Sequence, residues 1–193
     1  MMRLTHLYLE VKELIESQVL DAARHGLRAV IVNPTYCLGP WDIRAPQLCV
    51  IPMLLRGNVP VTTSQMLNVI DVRDMAAALL SAVSAERYGE RILLSAYNIS
   101  NRDLYSTICE LGGVPKPQAS VPPSVAFGGS FLADAALTLM GRETTGLSAV
   151  IMLASSFDYL PEENAIETLG VPPRPLARTI ADAIGWYRDI GYC

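Results

Sequence analysis

Between residues 4 and 25 apolar side chains recur at Leu7, Val11, Leu14, Ile15, Val19 and Ala22, with Glu10, Glu13, Glu16 and Arg24 set between them. This is the 3.6-residue period of an amphipathic helix, and Gly26 is placed to close it as a C-terminal cap. The pattern then changes to RAVIVNP at residues 28–34, a β-branched run without polar alternation, as in strands covered on both faces within a parallel sheet, and Pro34 ends it. From Thr35 to Pro60 the prolines and glycines at 39, 40, 46, 52, 57 and 60 predict a long loop with one helical stretch near residues 46–56. Loops of that length tend to carry function.

Residues 67–72 read as a short strand, residues 73–85 as a helix whose first turn holds Asp74, favourable to the helix dipole, and residues 91–96 as another strand. Ser100 opens S-N-R-D, a capping-box-like start with Asp103 at the reciprocal position, for a helix running to Gly112 and Gly113. A Pro-rich stretch at 114–123 precedes an apolar helix over 126–140, read as core rather than an acyl-binding site, and a second apolar patch at 147–153 whose type the pattern leaves open. Residues 161–169 predict a helix stopped by Gly170. After the loop VPPRPL, residues 176–189 form an amphipathic closing helix with Ile180, Ala183, Ile184 and Tyr187 inward; Trp186 and Tyr187 serve as core and rim packing. Strands alternating with helices argue an α/β fold, and the length suits one domain or one domain plus a lobe.

Of the 193 residues, 15 are Lys or Arg and 19 are Asp or Glu, a formal charge of −4 with only 18% charged residues. That excludes a basic nucleic-acid-binding domain and a disordered acidic tail. With 51% hydrophobic residues and a mean hydropathy of +0.29, there is core material to spare, which points to burial against a second copy or a missing segment. Cys37, Cys49, Cys109 and Cys193 form no C-x-x-C pair and only His6 and His25 accompany them, so no metal site is expected, and a reduced, cytoplasmic chain is the simplest reading. The N-terminus has no signal-peptide core. The uncharged stretch 118–133 carries Pro122, Pro123, Gly128 and Gly129 and is too short to span a bilayer, which takes about 20 apolar residues, so no membrane span is expected.

Tyr8 and Lys12 stand four apart on the first helix, so they leave adjacent turns of one face. A phenol with a pKa of about 10 is a poor acid or base at neutral pH, and a neighbouring ammonium brings it toward working range by favouring the phenolate. The plainer alternative is that both lie on a solvated face. About 20 residues later, Asn33-Pro34-Thr35-Tyr36-Cys37-Leu38-Gly39-Pro40 is a strand end opening into a loop, where ligands of open α/β sheets sit. Its alternative is a Pro/Gly turn without a ligand. Cys37 lies in that loop with no base nearby in sequence to make it a nucleophile.

Tyr8-x-x-x-Lys12 with Glu16, the NPTYCLGP segment, and NVIDVRDMA at residues 68–76 together resemble the extended short-chain dehydrogenase/reductases, the NAD-dependent epimerase/dehydratase family. The resemblance continues through GERILLS at 89–95, Phe157-Asp158, LGVPPRPL at 169–176 and AIGWYRDIGY at 183–192, and so covers nearly the whole chain. The tail is most similar to the hopanoid-associated sugar epimerase and dihydroflavonol 4-reductase branches.

The resemblance implies the C-terminal portion of an NAD(P)-binding Rossmann-like fold, with a small, mostly helical substrate-binding lobe. Residues 1–40 and 86–112 would be the sheet remnant and catalytic helix, and residues 41–85 and 113–193 the lobe. Tyr8 would be the acid/base, and Lys12 would orient the nicotinamide ribose and lower the Tyr8 pKa. Pro34 and Thr35 would pass beside the nicotinamide, and Asn33 could face the substrate. Arg44, Arg73 and Arg174 are the candidates for binding a substrate phosphate, and Asp71 and Asp74 match a motif of chiefly structural role.

Several family features are absent from the sequence. No G-x-G-x-x-G or G-x-x-G-x-x-G occurs, so the turn that brings a helix N-terminus to the pyrophosphate is missing. Val11 stands where the family has Ser before the Lys, only Thr5 precedes Tyr8 as a hydroxyl, and about two Rossmann strands remain, residues 28–33 and 91–96. Two functions are therefore expected side by side. One is an NAD- or NADP-dependent epimerase/dehydratase or reductase acting on a nucleotide sugar or other carbonyl compound, represented by its C-terminal portion. The other is a non-catalytic substrate-binding or assembly module that pairs with itself or with a partner chain carrying the cofactor half. A dimer suits both, and the doubled Met1-Met2 ahead of the motif is compatible with a longer native gene.

Overall fold

A computed structural model of the chain describes residues 2–43, 49–141 and 165–193. The fold divides into two compact units: Met1–Cys37, Asn68–Tyr97 and Leu160–Arg174 form the first, and Leu38–Leu67, Asn98–Tyr159 and Pro175–Cys193 the second.

The first unit begins with helix α1, Met2–Arg24. Gly26 takes a φ of 102°, the left-handed region that glycine enters without steric cost, and the Leu27 N–H closes the end on the Ala22 carbonyl at 3.0 Å. Strand β1 is Ile31–Pro34 and β2 is Tyr36–Leu38. Further along, β4 (Met66–Asp71) leads directly into α3 (Val72–Ser84), whose N-cap Asp71 accepts from the Arg73 N–H. Strand β5, Arg91–Leu94, lies parallel to β1 in the register Ile31 with Arg91 through Pro34 with Leu94. The core of this unit is Ile70, Ala78, Ala82, Ile92, Leu94, Ala96, Ile166 and Leu169. Ala78 and Ala82 are one turn apart, so α3 presents one small-residue face to the sheet. A 3₁₀ turn, Ala165–Leu169, closes the core, held by Ser81 Oγ donating to the Leu169 carbonyl at 2.7 Å.

Ile31, Val32 and Asn33 are half-buried, where the unbroken apolar run predicted a strand covered on both faces. Among the described residues β1 pairs with β5 alone, which leaves one of its edges without a neighbouring strand.

In the second unit the helices α2 (Val50–Leu55), α4 (Asn101–Gly112) and α6 (Leu176–Asp189) pack together on Ile51, Leu54, Leu104, Ile108, Ile180, Ala183, Ile184 and Tyr187. Ser100 caps α4 by accepting from the Asp103 N–H at 3.1 Å while donating to Asp103 Oδ2 at 2.6 Å, and Gly113 ends the helix at a φ of 68°. Arg188 Nη2 donates to the Gly112 carbonyl at 2.6 Å, tying α6 to the end of α4. Tyr187 is core, as expected, and the half-buried Trp186 meets Trp41 at 5.8 Å between ring centres. Strands β3 (Val61–Thr62) and β7 (Ala119–Ser120) pair in parallel, and α5 (Pro123–Leu139) follows.

Three expectations are corrected. The helix near residues 46–56 begins at Val50. The helix over 161–169 is a 3₁₀ turn over 165–169, its first four expected residues lying outside the described ones along with the 147–153 patch. Strands β2 and β6 (Tyr97–Ser100) were not expected; they flank β4 in the order β2-β4-β6.

Candidate functional site

Tyr8, Lys12 and Glu16 occupy successive turns of one face of α1. Glu16 fixes that face to the sheet: its Oε2 accepts from Asn33 Nδ2 at 3.1 Å, and its Oε1 pairs with the Arg91 guanidinium. Residues 25–30 connect α1 to β1. At 1.5 Å per residue, Lys12 stands about 6 Å and Tyr8 about 12 Å beyond Glu16 along the helix axis.

The carboxyl end of β1 holds two polar atoms without partners. Among the described residues, Asn33 Oδ1 and Thr35 Oγ1 are enclosed and make no hydrogen bond, although the Thr35 N–H itself is used, donating to the Leu94 carbonyl at 3.0 Å. Buried polar atoms are paired in nine cases of ten or more, so two orphaned acceptors in three residues mark a place built for a donor. Cys37 Sγ donates to the Thr35 carbonyl at 3.6 Å, a structural use of that thiol.

A second cluster lies where β4 meets α3. The fully enclosed Asp71 carboxylate takes Arg73 bidentately, from Nε at 3.0 Å and Nη2 at 2.6 Å. Arg174 reaches the same carboxylate at 3.7 Å and Asp74 Oδ1 at 3.5 Å, while its backbone N–H donates to Asp74 Oδ2 at 2.6 Å. Beside them Tyr97 donates to the Pro173 carbonyl at 3.3 Å, and its phenol is pushed up by burial, then by Asp74 and Glu167. Arg73 and Arg174, two of the three phosphate candidates, are thereby brought together, with both guanidinium charges met by carboxylates. Arg44 lies outside the described residues.

Sequence reasoning named Tyr8, Lys12, Asn33, Pro34 and Thr35 but gave Glu16 no role. The signal was available, since Glu16 continues the Tyr8 and Lys12 spacing by one more turn.

No family model matches the chain. It is 31% identical over 190 residues to "Putative dihydroflavonol 4-reductase" of Synechocystis sp., covering 96% of this chain and 55% of that protein. To Sterol demethylase protein B of Methylococcus capsulatus it is 28% identical over 188 residues, covering 95% and 57%. Among solved structures, a nucleoside-diphosphate-sugar epimerase from Pseudomonas aeruginosa superposes with a TM-score of 0.73 at 31% identity, over 96% of this chain and 56% of that one. The dTDP-glucose 4,6-dehydratase of Bacillus anthracis, solved in complex with NAD, shares the fold at a TM-score of 0.59 and 13% identity, over 90% and 49%. The chain spans about half the length of the curated relatives it matches.

Proposed function

We propose, from the premise that the chain belongs to the extended short-chain dehydrogenase/reductases, in the epimerase/dehydratase and dihydroflavonol 4-reductase-like group, that it carries the proton-transfer half of an NAD(P)-dependent site. The substrate class would be a nucleotide sugar or other carbonyl compound. When bound, the dinucleotide would supply the hydride donor or acceptor. The Tyr8 phenol would pass a proton to or from the substrate hydroxyl, and the Lys12 ammonium, one turn away, would favour its phenolate and hold the ribose. Pro34 and Thr35 would flank the nicotinamide, and Asn33 would offer Oδ1 to the substrate.

The observation that carries this reading is the pair of orphaned acceptors, Asn33 Oδ1 and Thr35 Oγ1, at the carboxyl end of a parallel strand, the position where open α/β sheets take their ligands. Both suit a hydroxyl or carboxamide donor. We read Arg73 and Arg174 as structural, because Asp71 and Asp74 already engage them. The sequence contains no Gly-rich phosphate turn, so the pyrophosphate would have to be cradled by another segment or another chain.

A second reading, an assembly module that pairs with a copy or with a partner supplying the cofactor half, is favoured by the outer surface of the first unit. Val11, Leu14 and Ile15 on α1 and Leu79, Leu80 and Val83 on α3 are exposed, more apolar surface than a helix face keeps in water without a partner. Calorimetric titration with NAD and NADP, oxidised and reduced, tests both readings when light scattering is run on the same sample. Micromolar binding that weakens in Lys12→Ala supports the proposed site. A folded chain that binds neither dinucleotide overturns it and leaves the assembly module.

A further inference from the structure

Strand β1 is flanked on both faces and open along one edge. Asn33 bonds to Glu16 on α1, and Arg91, opposite Ile31 on β5, pairs with the same carboxylate, so the odd-numbered positions of β1 face α1. Val30 and Val32 pack instead against the core that Ala78 and Ala82 of α3 share with Ile92 and Leu94. The two-stranded ladder thus has a helix on each side, an arrangement that belongs to parallel sheets of more strands.

The backbone groups of β1 alternate as well. The Ile31 N–H donates to the Glu90 carbonyl at 3.1 Å and the Thr35 N–H to the Leu94 carbonyl at 3.0 Å, so positions 31, 33 and 35 turn their N–H and C=O toward β5. Successive residues of a strand direct these groups to opposite sides. Val30, Val32 and Pro34 therefore turn theirs to the other edge, where no strand lies among the described residues. Pro34 has no N–H to give, so the edge offers a donor together with an acceptor at Val30 and Val32 and stops there.

We propose that this edge takes a parallel β-strand from a separate chain, one carrying the part of the relatives' length that this chain does not match. The inference rests on the reading in which a partner supplies the cofactor half. A row of unpaired backbone N–H and C=O groups selects a strand over any other apolar partner. Sheets with helices on both faces are parallel, whereas a second copy of β1 related by a two-fold axis would arrive antiparallel. The chain covers 55% and 57% of its two curated relatives, which leaves in each a length ample for further strands and helices. Apolar residues stay exposed on both flanking helices, Val11, Leu14 and Ile15 on α1 and Leu79, Leu80 and Val83 on α3, surface that suits an occupant thicker than one strand.

Amide hydrogen exchange, read residue by residue, tests the proposal on the chain alone and on the chain mixed with the unmatched part of the Synechocystis protein. In the chain alone the Ile31, Asn33 and Thr35 amides are expected to be protected and the Val32 amide to exchange freely. In the mixture light scattering should report a complex, and the Val32 amide should slow about tenfold or more, the worth of one hydrogen bond. Val32→Pro removes the outward donor while leaving the ladder to β5 its bonds, and should weaken the complex about tenfold. Should that variant misfold, the exchange of the parent Val32 amide decides alone. A complex in which Val32 still exchanges freely overturns the inference and leaves the assembly reading standing. No complex overturns both. A Val32 amide already protected in the chain alone also overturns the inference, assigning the edge to a second copy if light scattering shows a dimer and to the chain itself if it shows a monomer.

Discussion

Asn33 and Glu16 hold each other across the first unit: the Nδ2 of the strand residue donates to the carboxylate of the helix residue at 3.1 Å, and the side-chain oxygen of Asn33 is left enclosed without a partner. One side chain therefore does two things. Its donor registers α1 against β1, and its acceptor stays unmet.

Glu16→Ala should destabilise the chain by about 1–3 kcal/mol, the usual cost of leaving a partly buried donor unpaired. Glu16→Gln keeps a carbonyl for Asn33 and gives up only the ion pair with Arg91, whose side chain is 62% exposed; its cost is about 0.2–1 kcal/mol. Urea midpoints of the two variants read the difference. A Glu16→Ala protein with the parent's midpoint would show that the registration is made elsewhere.

The Asp71, Arg73, Asp74 and Arg174 cluster makes a second prediction. Asp74→Ala removes the acceptor of the Arg174 N–H and one of its two carboxylates. Breaking a fully buried pair costs about 3–5 kcal/mol, and with Arg174 32% exposed the loss should be smaller, about 2 kcal/mol. Hydrogen exchange adds a local readout, with the Arg174 amide losing protection before the amides of β5. Unchanged protection there would return Arg174 to the candidates for substrate phosphate.

Much of this fold is legible locally. The period of α1 and α6, the caps at Ser100 and Gly113, and the continuous run of β1 are each written within a dozen residues, and the structure places those elements where the pattern does. Strands β2 and β6 are three and four residues long and exist because both pair with β4, a relation no window around either one contains. The position of α5 was legible and its burial was not: a run of apolar residues says that a helix seeks cover, and the Ser130 and Asp134 spacing alone would turn that side to water, where the structure buries it. In the proposed site, the expectation of Tyr8 and Lys12 rests on their spacing alone. The Glu16 bond to Asn33 spans 17 residues, and an orphaned oxygen is a property of three-dimensional surroundings alone.

Alkaline stability is set in part by Tyr187. Its ring is core, its hydroxyl donates to the Asp42 carbonyl at 3.2 Å, and burial first, then Cys49 and Asp42, push its phenol far above the ordinary 10.0. Folded chains keep this proton at pH values where unfolded ones lose it. The stabilisation is therefore complete below pH 10 and falls as pH rises beyond it, by up to about 1.4 kcal/mol per unit. Tyr187→Phe should cost about 1 kcal/mol at neutral pH through the lost hydrogen bond and flatten the alkaline limb, so that the two stability curves converge above pH 10. Parallel curves from neutral to strongly alkaline pH would show that Tyr187 does not set the limb.

Thr35→Val separates a structural orphan from a functional one. The Thr35 hydroxyl oxygen is enclosed and unpaired, and an unmet buried hydroxyl costs about 1–3 kcal/mol relative to an apolar group of the same shape. Valine should therefore raise the stability of the ligand-free chain by about 1 kcal/mol, an uncommon sign for a substitution in a half-buried position. If the oxygen is kept to receive a donor from a bound dinucleotide, the same change should weaken that binding about tenfold, the equivalent of one hydrogen bond of about 1.4 kcal/mol. Opposite signs in thermal denaturation and in titration are the mark of a site whose polar atoms are left unmet until a ligand arrives. A Thr35→Val chain that is less stable than the parent would mean that Oγ1 has a partner in the free protein, and the proposed cofactor site would lose the observation that supports it.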